Sequence, residues 1–399
     1  VEIKNVKDIY YIQVEAVSRT YCLDVKLKNR SFQNSQMTYD ALVREVISEY
    51  EADYKDSASQ GKTLEKLTLQ YQETDWEFLK RMASRFNAGL VPDHVSDKPR
   101  FQFGITEVES EGTLEEDNYR VRKNISKYKV LSENSKSGSP KVDVNDFIYY
   151  EVDSKDCIMD IGSKLKFRNI SLFVYEWQAH IKGGVLNYTY FLAPKNGLSQ
   201  RLVCNDRIIG LSIEGEVIGV EKDKIKVHLE IDEKQSAGEA WWFLYSTGYT
   251  AEGNSGWYCM PELKDHVMVY FPSSREEDAV ASCSVRKDTE GSENNKVSNP
   301  DIKYFRTKAG KELMFSEKEI LISAKDGETF IKLSEDSGIE IYSAKPVKIT
   351  TKEDLTISAG TNIVITAKDS ISLNCQKSKI IMDGATSIIK IEGDEVKTN

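Results

Sequence analysis

From residue 331 to the end of the chain, branched aliphatic residues recur every eight positions. One series runs Leu333, Ile341, Ile349, Ile357, Ile365, Leu373, Ile381 and Ile389. A second runs two positions earlier: Ile331, Ile339, Val347, Leu355, Ile363 and Ile371, with Lys379 and Ser387 interrupting it near the end. Two positions after the first series come the small residues Ser343, Thr351, Ala359, Ala367 and Cys375. A period of eight fits neither the 3.5-residue repeat of a coiled coil nor the 3.6-residue turn of a helix. Apolar residues at i and i+2 share one face of a strand. Each octad therefore reads as a short strand plus a polar kink. A unit this small cannot bury its own apolar face, so it must stack.

One octad is too short to close a three-sided β-helix coil within one chain, whereas three chains could each supply one wall. Each octad would then advance the stack by about 4.7–4.9 Å, and eight would give a prism roughly 40 Å long. In that arrangement Leu333, Ile339, Ile341, Val347, Ile349, Leu355, Ile357, Ile363, Ile365, Ile371, Leu373, Ile381 and Ile389 point at the trimer axis. The competing arrangement is an antiparallel meander whose spacing is accidental.

Composition separates this tail from the rest. None of the 5 Trp, 20 Tyr and 14 Phe lies beyond Tyr342. Most of the net charge of −10 also lies upstream of residue 301. The 399-residue length gives two to three domains at about 150 residues each. The expected organisation is a hub domain at 1–200, a barrel at 201–283, a linker at 284–302 and a spike at 303–399. The linker carries the polar run SVRKDTEGSENNKVSNP.

In 201–283, RIIGLSIEGEVIGVEKDKIKVHLEID alternates with Ile225, Val227, Leu229 and Ile231 on one face, and Lys222–Asp223 marks a turn. HVMVYF adds Val267, Val269 and Phe271. Several short strands in about 80 residues predict a small closed barrel of the OB type. Trp241, Trp242, Phe243 and Tyr245 read either as barrel core and contacts between domains or as a base-stacking platform.

In 1–200, MTYDALVREVISEYEADY puts Leu42, Val43, Val46, Ile47 and Tyr50 on one helical face. A second helix starts at Thr74, where Thr74 and Glu77 make a capping box. Its expected buried stripe is Trp76, Leu79, Ala83 and Phe86, with Gly89 as C-terminal cap and Pro92 as stop. Thr74 with the carboxylates Asp75 and Glu77 reads as capping and dipole complementation rather than a carboxylate site.

The remaining residue types exclude several function classes. A pI near 5.3 disfavours a protein built to grip phosphate backbones. The six cysteines match no zinc pattern or small disulfide framework and read as reduced thiols. His94, His180, His228 and His266 are scattered singly, so no conventional metal site, cofactor site or catalytic constellation is expected. The start VEIKNVKDIYYIQ is not a signal peptide, which predicts synthesis in the cytoplasm, and it reads as cut from a longer chain.

Two runs carry a family resemblance. TLEKLTLQYQETDWEFLKRMASRFNAGLVPD at 63–93 resembles the hub segment of VgrG and phage late-control proteins, with their Y-x-E-[ST]-D-x-x-F-[IL]-x-R-[LM] pattern. GWYCMPELKDHVMVYFP at 256–272 resembles the P-E-x-x-D-x-V-x-V-x-F signature of the same proteins' OB domain. The octad tail is similar to their trimeric β-helix. The resemblance implies a mainly β chain with a few helices: α+β hub barrels, an OB-fold barrel and a C-terminal trimeric triple-stranded β-helix. It further implies a homotrimeric hub and spike joining the inner tube of a contractile injection machine to a membrane-piercing needle. Its partners would be inner-tube and baseplate proteins, possible effector cargo, a target membrane met in passing, and no nucleic acid. A tip protein resembling the PAAR cap would seat on Ile389 and Ile391, in a needle that lacks a metal-binding His-x-His closure of its own. The machine would be a phage tail, a phage-tail-like particle or a type VI-like system, reaching the extracellular space or target cell on firing. The rival expectations are a tail-associated cell-wall hydrolase, which the short linker leaves no room for, and an OB-fold nucleic-acid-binding protein.

Overall fold

Alternating buried and exposed positions, rather than helical stripes, govern most of this chain. The computed structural model describes residues 1–399 apart from 106–111, 134–141, 156–158, 252–254, 286–298, 326, 396 and 398–399. Most of the expected linker, together with Cys157, lies outside the described residues. The chain divides into two units, Val1–Asp288 and Thr289–Asn399. No helix is long and apolar enough to cross a membrane among the described residues.

The first unit opens with an antiparallel hairpin, Glu2–Val6 with Ile9–Gln13, exposed throughout. Two helices follow. Helix α1, Tyr39–Ile47, is capped by Thr38, whose side chain accepts from the Ala41 amide. Helix α2, Asp75–Ser84, carries the full Thr74–Glu77 capping box. Their apolar faces meet in one core of Leu42, Val43, Val46, Phe78, Leu79, Met82 and Ala83, closed by Phe101 and Phe103. Trp76 and Phe86 sit at its edge rather than inside it. The C-terminal stop of α2 differs from the one expected. Asn87, not Gly89, takes the positive φ of 54° and donates to the Ser84 carbonyl. Asparagine tolerates that conformation better than most side chains, and the chain is then free to enter the strand Leu90–Pro92.

Residues 112–193 form an open six-stranded sheet dominated by the long hairpin Ile170–Lys182 and Val185–Ala193. Helix α3, Ile125–Glu133, lies in the segment joining two of its strands. Phe167, Leu172, Tyr190 and Leu192 are fully buried in the core of this sheet.

The strands Ser212–Glu221, Lys224–Leu229, Trp242–Ser246, Val280–Val285 and His266–Tyr270 neighbour one another in that order and close into a barrel. Trp242–Ser246 and Val280–Val285 run parallel, and the other neighbours run antiparallel. That is the five-stranded OB arrangement. Its interior holds Ile225, Val227, Leu229, Phe243, Val267, Val269 and Phe271. Gly215 is required where the first two strands press together, because a Cβ there would lie 2.4 Å from Val227 Cγ1 and 2.5 Å from the His228 carbonyl.

The second unit begins with a five-stranded antiparallel meander spanning Lys303–Ser343. Its register puts Phe305, Leu313, Phe315, Ile320, Ile322, Ile331, Leu333, Ile339 and Ile341 on one face. Residues 344–369 form no strand within the chain. A three-stranded meander, Ser370–Cys375, Ser378–Asp383 and Ile388–Glu392, completes the described tail.

Candidate assembly faces and the joint between helix and barrel

The strand Thr68–Thr74 links the helical core to the barrel because its side chains alternate between them. Leu67 and Leu69 are fully buried and belong to the barrel core, although they precede it by more than 130 residues. The same strand pairs with Leu27–Phe32, and from there further bonds reach the barrel. Ser31 donates its backbone N–H and its hydroxyl to the Asp232 carboxylate at 2.6 and 2.5 Å. Gln33 donates to the Val227 carbonyl and accepts from the Trp241 amide.

Two buried charge clusters flank this strand. Arg81 of α2 is 3% exposed at its side chain. It donates Nε and Nη2 to the two oxygens of Glu73, both at 2.8 Å, a bidentate fork that only arginine makes. Its Nη1 reaches Glu276 of the barrel at 2.6 Å, and Nη2 also reaches the Leu69 carbonyl at 2.6 Å. Arg85 adds a second contact to Glu276 at 3.3 Å. Burial alone would raise the Glu276 carboxyl, but Arg81 and Arg85 outweigh it and hold it below the usual range.

At the N-terminus of α2, Asp75 is fully buried and accepts from Lys28, Arg30, Tyr50 and Gln70. Burial and the hydrogen bond to Asp75 push the Tyr50 phenol up to about 12. Dipole complementation accounts for only part of this residue, which is the hub of a four-partner cluster. The 63–93 run is therefore legible atom by atom. Glu73 and Arg81 pair, Thr74 and Glu77 cap, Asp75 gathers cations, and Phe78, Leu79 and Met82 fill the core.

The PELKD run has an equally local role. Glu262 donates its N–H to the Asp265 carboxylate at 2.8 Å, and Asp265 donates its own back to the Glu262 carbonyl at 3.1 Å. Lys264 adopts a positive φ of 76° in this turn. The turn is tied to the first barrel strand through Lys264 N–H to Val217 O and Val217 N–H to Asp265 O. The aromatic group 241–245 forms no shared platform. Phe243 is core, Trp241 and Tyr245 are half-buried against it, and Trp242 lies under the Lys226 ammonium.

In the tail, the residues expected at a trimer axis fall into three sets. Leu333, Ile339 and Ile341 lie on the apolar face of the five-stranded sheet, continuous with Ile331. Val347, Ile349, Leu355, Ile357, Ile363 and Ile365 fall in 344–369, with Ile349 72% and Ile357 70% exposed in the single chain. Ile371, Leu373, Ile389 and Ile391 share a face of the last sheet, but with Ile380 and Met382 rather than Ile381. Ile381 stands on the opposite face. The reason is turn length. The Glu335–Ser337 loop has an odd number of residues, so Leu333 pairs with Ile339 and the octad parity survives. The Gln376–Lys377 turn has two residues, so Leu373 pairs with Ile380 and every side chain of that strand changes face.

One group of three side chains among the described residues is close enough to share a cation: Glu214, Glu230 and His266. Their separation along the chain gives no motif, which is why the scattered histidines read as isolated. The barrel register brings them together.

No protein-family model matches the sequence, and no curated protein matches it. Among solved structures, the chain is similar to the Escherichia coli c3393 protein, a type VI secretion component itself described as similar to T4 bacteriophage tail proteins gp27 and gp5. The TM-score is 0.43 at 12% identity, over 67% of this chain and 76% of that one. A Francisella PdpA–VgrG complex gives 0.47 at 9%, over 80% and 70%. The 43 kDa tail protein of prophage MuSo2 from Shewanella oneidensis gives 0.33 at 9%, over 46% and 71%.

Proposed function

We propose that this chain is the hub-and-spike subunit of a contractile injection machine, acting as a homotrimer that joins an inner tube to a needle. The observation that carries this reading is the tail. Branched aliphatics at a fixed eight-residue spacing stand exposed on one side of their sheet, or on a segment with no strand partner in its own chain. Contiguous apolar surface of this kind marks an interface. Three copies winding together would bury it and leave no free sheet edge along the needle. The resemblance of 63–93 and 256–272 to hub and OB segments supports the same assignment. The buried Arg81–Glu276 pair would carry axial load from barrel to hub without a flexible link. Ile389 and Ile391, on the last apolar face, are assigned to the tip protein, and the opposite end to tube and baseplate proteins. Cargo and a target membrane would be met only on firing, after assembly from a cytoplasmic pool.

Light scattering of the purified chain is expected to give three times the chain mass of 45.3 kDa. A monomer at micromolar concentration would remove the spike reading. The role is mechanical, so a zymogram on purified cell walls is expected to show no clearing. Clearing that a single substitution in this chain abolishes would replace the proposal with a hydrolase.

A further inference from the structure

The outer surface of the barrel carries a group that the assembly reading does not use. Along the first strand, Ile213, Gly215 and Val217 alternate with Glu214 and Glu216, so both glutamates point outward. Glu216 lies directly across from His266 on one neighbour and from His228 on the other. Glu230 follows the second strand and donates its N–H to the Glu214 carbonyl at 2.9 Å, which sets the two glutamates side by side. Like charges in adjacent cross-strand positions are destabilising. His266 Nδ1 lies 3.1 Å from Glu214 Oε1, yet it is buried and makes no hydrogen bond. The ligand atoms of Glu214, Glu230 and His266 all lie within 4.8 Å of one another.

We propose that Glu214, Glu230 and His266 form a binding site for a divalent transition metal of the zinc type on the outside of the barrel. A metal held tetrahedrally at about 2.0–2.1 Å places its ligands roughly 3.3 Å apart. The imidazole nitrogen and the Glu214 oxygen already stand at that spacing, without the geometry of a hydrogen bond. Glu230 is exposed, and its carboxylate already lies within 4.8 Å of the other two ligand atoms. One imidazole with two carboxylates selects zinc and its neighbours over calcium and magnesium, which take oxygen shells. The cation would also neutralise the two adjacent carboxylates. It would tie the first, second and fourth barrel strands, in chain order, at one point. His228 shares the face but is occupied, with Nε2 2.9 Å from the Asp232 carbonyl. It is not a ligand.

This inference is independent of the assembly reading. The test uses the full chain, stripped with chelator, equilibrated with Zn2+ alone and desalted before elemental analysis, with affinity from calorimetry. Wild type and His228→Gln are expected to retain about one Zn2+ per chain, and His266→Gln and Glu230→Gln to bind about tenfold more weakly or worse. Because Glu230 is exposed, its substitution leaves the fold intact and keeps the test decisive. Failure of the wild type to retain Zn2+, or wild-type affinity in either ligand variant, overturns the proposal.

Discussion

Replacing Ile357 and Ile365 with Asp in the same chain is expected to abolish trimer formation, leaving a species at the chain mass of 45.3 kDa by light scattering. Both positions lie in the segment without a strand partner, 70% and 67% exposed in the isolated chain. In a monomer, exchanging these two side chains for carboxylates would cost nothing and would improve solubility. In a three-chain prism the same exchange sets six carboxylates beside the axis. The effective penalty for a buried unpaired ion is several kcal/mol each, far more than burial of the original aliphatics contributes at about 1.5–3 kcal/mol per side chain. The two arrangements thus predict opposite outcomes for one variant. A double variant that remains a trimer with an unchanged melting profile would remove these residues from the axis.

The eight-residue period made the tail's apolar face legible because an even period preserves strand parity. Whether the octads wind around two other chains or fold back in a meander, positions eight apart stay on one face if every turn has the matching length. The period alone therefore names the face but not the partner strand. Ile381 shows the limit. It keeps the spacing, but the two-residue turn at Gln376–Lys377 puts Ile380 and Met382 on the face instead. The interruption at Lys379 and Ser387 was the local sign of that change, since both fall where the eight-residue series should have continued.

In the barrel, strict alternation identified the interior residues Ile225, Val227, Leu229, Val267, Val269 and Phe271 directly. Neither the Arg81 joint nor the Glu214–Glu230–His266 group was accessible in the same way. Arg81 and Glu276 are 195 residues apart, and nothing local to either requires the other. Charged residues on a helix read as a solvated face unless something says otherwise, and here Arg81 and Asp75 are both buried. The available sign was the mismatch between the amphipathic pattern of α2 and an arginine set between Leu79 and Met82. The Lys222–Asp223 turn folds the two strands onto each other, but its register alone sets Glu214 across from Ile231, and only the bulge between Val217 and Gly219 brings Glu230 beside it. His266 arrives through a pairing that skips two barrel strands along the chain, and no spacing rule reaches it.

Arg81→Met is expected to destabilise the first unit by about 3–5 kcal/mol, the cost of breaking a buried pair from one side. Methionine fills most of the volume but leaves Glu73 and Glu276 buried without their shared cation. All five tryptophans lie between residues 76 and 257, inside the unit Val1–Asp288. Their fluorescence therefore reports this unit alone during denaturant unfolding, whatever the tail does. Adding Glu276→Gln to Arg81→Met should recover part of the loss, because it removes an orphaned charge while keeping the shape. The pH dependence gives a second signature. In the wild type, the Glu276 carboxyl is held low, so its contribution is complete above the ordinary carboxylate pKa of about 4.3 and fades as pH falls through its depressed folded value. Without Arg81, burial acts on Glu276 opposed by Arg85 and the residue's own backbone N–H, the carboxyl rises from its wild-type position, and protonation relieves the variant on acidification. The stability gap between wild type and Arg81→Met should therefore narrow from pH 7 toward pH 4. An unchanged unfolding midpoint at pH 7, or a gap that widens toward acid, would show that the Arg81 cluster does not hold the helix to the barrel.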